Sequence, residues 1–142
     1  MSHTNPSDDT LRTILTQATT IAMVGASANP EKPSHGIMQR LLKAGYTVIP
    51  VNPNEPEILG QKAYASLRDI PGKVDIVDVF RRGEDTPPMA DDAVAIGAKT
   101  LWLQLGVSND DAAARATAGG LSVIMNACIG AKHAALGIGP KT

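Results

Sequence analysis

Five short runs along this chain are apolar almost throughout: Thr20-Ile21-Ala22-Met23-Val24, Tyr46-Thr47-Val48-Ile49-Pro50-Val51, Val74-Asp75-Ile76-Val77-Asp78-Val79-Phe80, Thr100-Leu101-Trp102-Leu103-Gln104-Leu105 and Leu121-Ser122-Val123-Ile124-Met125. Runs of this length with little polar alternation are the pattern of parallel strands covered on both faces. Amphipathic segments lie between them. Ser7 is placed to cap a first helix, with Asp8 and Asp9 in its first turn and Leu11, Ile14, Leu15 and Ala18 on one face. Ser34 is expected to cap a second, which carries Ile37, Leu41 and Leu42 and stops at Gly45. Thr86 with Pro87 and Pro88 opens a third, through Met89, Ala93, Val94 and Ile96 to Gly97, and Ser108 or Asn109 opens an alanine-rich fourth that ends at Gly119-Gly120. Residues 54–72 are less regular, with a short helix expected at Leu67-Arg68-Asp69-Ile70.

The strands begin near residues 20, 46, 74, 100 and 121, a spacing typical of βαβ units. Right-handed crossovers then predict a Rossmann-like α/β fold: a doubly wound, open parallel sheet of about five strands in three α/β/α layers. Residues 1–142 are expected to form a single domain, with residues 1–6 and 138–142 as loose ends.

Composition narrows the function classes. Hydrophobic residues make up 43% and charged residues 19%, which suits a globular chain. The net charge of −1 carries no basic excess, so no nucleic-acid partner is expected. Cys128 is the single cysteine, which rules out a disulfide within the chain and a cysteine-based zinc site and fits a reducing compartment. The amino-terminal residues do not read as a secretory signal, and no run approaches the ~18 apolar residues of a membrane span. A cytoplasmic protein is the expectation.

In a doubly wound sheet, ligands bind beyond the carboxyl ends of the strands, where strand order reverses. The loop Gly25-Ala26-Ser27-Ala28-Asn29-Pro30-Glu31-Lys32-Pro33-Ser34 falls there. Gly25 is expected to let backbone approach a phosphate, Ala26 and Ser27 offer small side chains and N–H groups, the helix near Ser34 points its positive end at the same place, and Lys32 adds a formal charge. On that reading a side chain at Gly25 fills the phosphate approach and spares the fold. The loop is neither Gly-x-Gly-x-x-Gly nor a Walker loop, and a plain strand-to-helix turn is the alternative.

The end of the second strand bears on the ligand. NAD sites usually place Asp or Glu there to hold the ribose hydroxyls. This chain has Val51-Asn52-Pro53-Asn54, and its first acid is Glu55. A phosphorylated ribose, as in coenzyme A, avoids an acid and wants cations, which Lys32, Arg81 and Arg82 supply if they converge; otherwise Arg81-Arg82 is a solvated loop. Asn52-Pro53 either lines an adenine slot or makes a turn. Leu105-Gly106 either lets a pantetheine arm pass close to backbone or ends the strand in a turn.

The same positions carry a resemblance. Val24-Gly25-Ala26-Ser27, Pro30-x-Lys32-x-Ser34, Gly45-Tyr46-x-Val48-x-Pro50-Val51-Asn52-Pro53, Ile58-Leu59-Gly60, Tyr64-x-Ser66-Leu67-x-Asp69-Ile70-Pro71, Val74-Asp75-Ile76-Val77-Asp78-Val79-Phe80-Arg81-Arg82 and Trp102-x-Gln104-Leu105-Gly106-Val107 together resemble the CoA-binding domain family. Its members are small stand-alone proteins similar to the amino-terminal CoA-binding domain of the succinyl-CoA synthetase α subunit. The resemblance implies CoA across the carboxyl edge of the sheet. Gly25, Ala26 and Ser27 then meet the pyrophosphate, Asn52 and Pro53 flank the adenosine, and Phe80, Arg81, Gln104 and Gly106 border the next part of the groove. The chain departs from the family at Asn126-Ala127-Cys128, where members often carry Asp-Arg-Cys. The synthetases also have a second domain with a phosphorylated histidine, and that chemistry is not expected of these 142 residues.

No catalytic centre is expected. His3, His35 and His133 have no evident triad partners, Cys128 reads as packing or as a thiol close to bound CoA, and Asp75 and Asp78 are three apart on a strand and so point to opposite faces. No metal cluster is expected either. The leading expectation is a non-catalytic module that binds coenzyme A or an acyl-CoA. The alternatives are an NAD(H)-binding redox sensor and an accessory subunit of an acyl-CoA synthetase; a protein partner or a homodimer is compatible with each.

Overall fold

The computed structural model describes residues 3–140. Met1, Ser2, Lys141 and Thr142, part of the ends expected to be loose, lie outside the described residues. Asn5 exchanges two hydrogen bonds of 2.8 Å with the Met125 backbone, and Ile138 packs against the core.

Five parallel strands form the sheet: β1 (Thr20–Val24), β2 (Thr47–Val51), β5 (Ile76–Val79), β6 (Thr100–Leu103) and β7 (Ser122–Ile124). Their order is β2-β1-β5-β6-β7. After β1 the chain runs to β2 on one side, then crosses back to β5 on the other, so strand order reverses between β1 and β5. A two-stranded antiparallel piece, β3 (Glu57–Ile58) and β4 (Gln61–Lys62), occupies the irregular stretch and was not expected there. It turns on Leu59 and Gly60, both at positive φ.

Alternation within the strands sorts side chains into two layers. Ala22, Val24, Val77, Val79, Leu101 and Leu103 face one side, under α3 (Thr86–Ala95) and α4 (Asp110–Ala118). Those helices present Ala90, Ala93, Ala112, Ala113 and Ala116, small enough for close approach to the sheet and to each other. Ile21, Met23, Ile76, Trp102 and Ile124 face the other side, under α1 (Asp8–Gln17), α2 (Pro33–Lys43) and α5 (Ile129–Ala135). Trp102 is fully buried there and donates its indole N–H to the Ala127 carbonyl at 2.8 Å.

Helix starts follow local chemistry. Ser7 caps α1 by accepting from the Thr10 N–H, and Asn109, not Ser108, caps α4 by accepting from the Ala112 N–H. Ser34 does not cap α2. It is the second residue of that helix and is buried; Lys32 holds the N-cap position, with Pro33 at the first helical turn, where a missing N–H costs nothing. The short α5 lacks a side-chain cap, which is why no start signal announced it.

Candidate functional site

One groove runs along the carboxyl edge of the sheet, over the reversal between β1 and β5. All eleven positions singled out in the sequence line it: Gly25, Ala26, Ser27, Lys32, Ser34, Asn52, Pro53, Phe80, Arg81, Gln104 and Gly106. Its volume of about 1380 Å³ exceeds the ~300–1,000 Å³ usual for small-molecule sites.

The loop after β1 is built from the backbone outward. The Gly25 N–H donates to the Val51 carbonyl at 3.1 Å, and the Phe80 N–H to the Val24 carbonyl at 2.8 Å, so the ends of β1, β2 and β5 are clamped together. Gly25 has φ +84°, and a Cβ there collides with the Phe80 carbonyl oxygen and lies 3.0 Å from its carbon. The sequence reading attributed this glycine to phosphate approach and expected a side chain there to spare the fold. That is corrected: the missing side chain makes room for the β5 backbone. Beyond it, Ser27 Oγ accepts from the Asn29 N–H and Asn29 Oδ1 from the Glu31 N–H, both at 3.0 Å. Two consecutive side-chain turns carry the chain to the start of α2, where Pro33 has no N–H to offer and the His35 N–H donates to the Lys32 carbonyl at 3.0 Å.

Asn52 makes a turn and also lines the groove. Its Oδ1 accepts from the Asn54 N–H at 2.7 Å while its Nδ2 donates to the Ala26 carbonyl at 2.8 Å. Its amide therefore holds the loop in place, and no carboxylate stands at this strand end among the lining residues.

Four cations line the groove, Lys32, Arg40, Arg81 and Arg82, against the single carboxylate of Asp85. Asp85 pairs with Arg82 at 3.5 Å and Arg81 at 3.9 Å, and Glu84 pairs with Arg82 at 3.1 Å. Arg81 and Arg82 thus converge with Lys32 on one cleft but already share acids. Arg40 spans from α2 to the Gly130 carbonyl.

At the far end the loops after β6 and β7 are clasped. Asn126 Oδ1 accepts from the Gly106 N–H at 2.7 Å, and the Asn126 N–H donates to the Val107 carbonyl at 2.9 Å. Asn126 sits at φ +55°, a conformation asparagine tolerates better than most residues. Gly106 (φ +83°) has open space where its Cβ would stand. Leu105 beside it is 72% exposed, the one large apolar side chain left bare among the described residues.

Ile37 and Arg40 on α2 and Ala131 on α5 also line the groove and were missed as site residues; Cys128, read as packing or as a thiol close to the ligand, lines it too. Ser34, Ile37 and Arg40 follow one another at helical spacing, which was the available signal; α5 offered none.

Two aspartates on the third parallel strand differ sharply. Asp75, at its base, is raised by partial burial, but the Thr19 and Thr20 N–H groups, the Thr19 hydroxyl and Lys99 outweigh this and hold it below the usual carboxylate range. Asp78 is fully buried at mid-strand, and that burial pushes it up to about 8 against a hydrogen bond from Gln104 that favours the charged form. They form no acid pair. Among the described residues no cluster of His, Cys, Asp and Glu is arranged to hold a metal ion, and no helix is long and apolar enough to cross a membrane.

Residues 19–134 match the family described as CoA binding domain. The chain belongs to the CoA-binding domain family. YneT of Bacillus subtilis (strain 168) is 42% identical over 130 residues, covering 92% of this chain and 96% of YneT. A hypothetical protein from Pyrococcus horikoshii OT3 has the same fold, with a TM-score of 0.90 at 39% identity, over 96% of this chain and 99% of that one. The dinucleotide forming acetyl-coenzyme A synthetase 1 of Ca. Korarchaeum cryptofilum, solved with phosphate and ADP, gives a TM-score of 0.71 at 28% identity. That match covers 84% of this chain but only 28% of the synthetase. The sheet and its flanking helices are therefore a CoA-binding domain of the Rossmann-like type, related to acyl-CoA synthetase subunits.

Proposed function

We propose that this chain binds coenzyme A or an acyl-CoA in the groove, as a binding or regulatory module without chemistry of its own. One observation carries the reading: a small-residue loop, an open helix start and four cations meet at the strand reversal, and no acid stands at the end of β2. The pyrophosphate belongs over Ala26, Ser27 and the first turn of α2, where N–H groups and the helix dipole favour an anion. Lys32, Arg40 and Arg81 are the candidates for the 3′-phosphate. The pantetheine arm then runs past Gln104 toward Gly106, where the absent side chain leaves room. The acid-free Val51-Asn52 also supports CoA over a redox sensor that holds NAD(H) by its ribose hydroxyls.

Calorimetric titration with CoA, dephospho-CoA, NAD and ATP tests this. CoA is expected to bind several-fold tighter than dephospho-CoA, with NAD weaker still. Equal affinity for the first two removes the 3′-phosphate argument, and no heat with CoA removes the reading. A second reading, an accessory subunit completed by another chain, is favoured by the match to one segment of a synthetase. Co-purification with a partner that carries the remaining synthetase domains distinguishes it.

A further inference from the structure

Asp78 is the one buried carboxyl of the sheet interior, and the groove does not reach it. It lies between Met23 of β1 and Trp102 of β6 in register. Alternation turns it toward the layer under α1, α2 and α5. Its Oδ1 accepts from Gln104 Nε2 at 2.5 Å, whereas Oδ2 is buried with no hydrogen-bond partner. A carboxylate with one bare oxygen in an apolar layer is costly, so a group of this kind calls for a reason.

Gln104 supplies one. It is nearly buried, yet it lines the groove, and its backbone is fixed at both ends: its N–H donates to the Val79 carbonyl and its carbonyl accepts from Val107. Only its side chain links groove and interior. A primary amide offers two chemically different edges, two N–H donors on one and a carbonyl acceptor on the other. Whatever holds Nε2 decides which edge a ligand meets.

We propose that Asp78 is a positioning residue for the groove: by accepting from Gln104 Nε2 it fixes the edge of that amide presented to the ligand. Among the described residues this acid has no charged partner. The titratable groups on the covering elements are Asp8, Asp9 and Arg12 of α1, His35, Arg40 and Lys43 of α2, Lys132 and His133 of α5, and Tyr46 and Cys128. None of them forms a hydrogen bond or ion pair with Asp78. Burial keeps the neutral form through neutral pH, with a midpoint of about 8. Ionisation places a bare negative charge under a site for a polyanion.

The inference rests on the CoA reading, and the test separates the two. CoA affinity is measured from pH 6.5 to 9 for the wild type, Asp78→Asn and Gln104→Ala. Asparagine keeps an acceptor for Gln104 and never ionises. If the ionised form does not bind, wild-type affinity falls about tenfold between pH 7 and 9, as a midpoint of about 8 requires. Asp78→Asn is expected to hold its pH 7 affinity without that fall, since the ionisations of CoA and of the loop are common to both proteins. Gln104→Ala is expected to lose affinity and, without the hydrogen bond that favours the carboxylate, to move the step to higher pH. Parallel pH profiles for wild type and Asp78→Asn overturn the inference. In the ligand-free wild type, the Gln104 side-chain amide resonance is followed by NMR over the same range. It is expected to move with the Asp78 carboxyl carbon. Should CoA fail to bind at any pH, the CoA reading falls, and this titration alone decides: a shared midpoint supports the positioning role, and a Gln104 signal blind to Asp78 overturns it.

Discussion

Replacing Gly25 by alanine tests the geometry at the strand reversal. Two costs arise. The first is conformational, because at φ +84° a Cβ crowds its own backbone, for about 1–2 kcal/mol. The second is a collision. The new Cβ meets the Phe80 carbonyl oxygen far inside the 3.0 Å that real contacts respect, and this neighbour is backbone, not a side chain free to swing away. Relief requires β1 and β5 to part at their carboxyl ends, where the Phe80 N–H bonds to the Val24 carbonyl at 2.8 Å. Weakening that buried bond adds about 1–3 kcal/mol. The sum, about 2–5 kcal/mol, is a large share of the ~5–15 kcal/mol that holds a domain together.

Gly106→Ala is the matched control. Its φ of +83° imposes the same conformational cost, but nothing stands within 4 Å of its Cβ. Urea unfolding followed by the fluorescence of Trp102, the single tryptophan and fully buried, reads both variants. Gly25→Ala is expected to lower stability by roughly 1–3 kcal/mol more than Gly106→Ala, the difference being the collision term alone. Equal losses in the two variants refute the argument that Gly25 exists for the β5 backbone.

Three further outcomes follow from the site. Asp78 has a folded-state pKa raised to about 8 above an unfolded value near 3.8, so the native state holds a proton that the unfolded chain has released. Stability should therefore fall with rising pH across that window by up to about 1.4 kcal/mol per unit and level off above it, and Asp78→Asn should remove the slope in urea midpoints between pH 5 and 7. Asp75 works the other way, because its pKa is lowered; its contribution is present above the ordinary carboxylate range and is lost on acidification, so Asp75→Asn should cost stability at pH 7 and progressively less as pH falls below that range. Asn126→Asp keeps an acceptor for the Gly106 N–H and so should leave the unfolding midpoint nearly unchanged, while the added charge at the groove rim lowers CoA affinity several-fold at low salt and less at high salt.

The sheet was legible because its strands are nearly continuous apolar runs, and the groove because all its main loops follow those strands. Each loop signal depended on residue types with one dominant physical use: glycine at positive φ, small residues at a helix start, asparagine at a turn. What escaped reading was tertiary. That Gly25 faces the Phe80 carbonyl depends on how closely β1 and β5 pair, which no local pattern encodes. Asp78 read as half of a poor acid pair, and its tie to Gln104 bridges neighbouring strands 26 residues apart in the chain. Ser34 looked like a cap because serine favours that position, but Pro33 fits the first turn and moves the start two residues earlier, with Lys32 as the cap. The hairpin at Glu57–Lys62 and the short α5 gave too few residues for any period to show.

The most direct test of the central claim is a map of backbone amide shifts by NMR on titration with CoA. The account predicts that shifts saturate together at Gly25, Ala26, Ser27, Lys32, Ser34, Gly106 and Cys128, with Ala112 and Ala116 of α4, on the opposite face, unmoved. Saturable shifts centred on the α3–α4 face, or no shifts at millimolar CoA, contradict it.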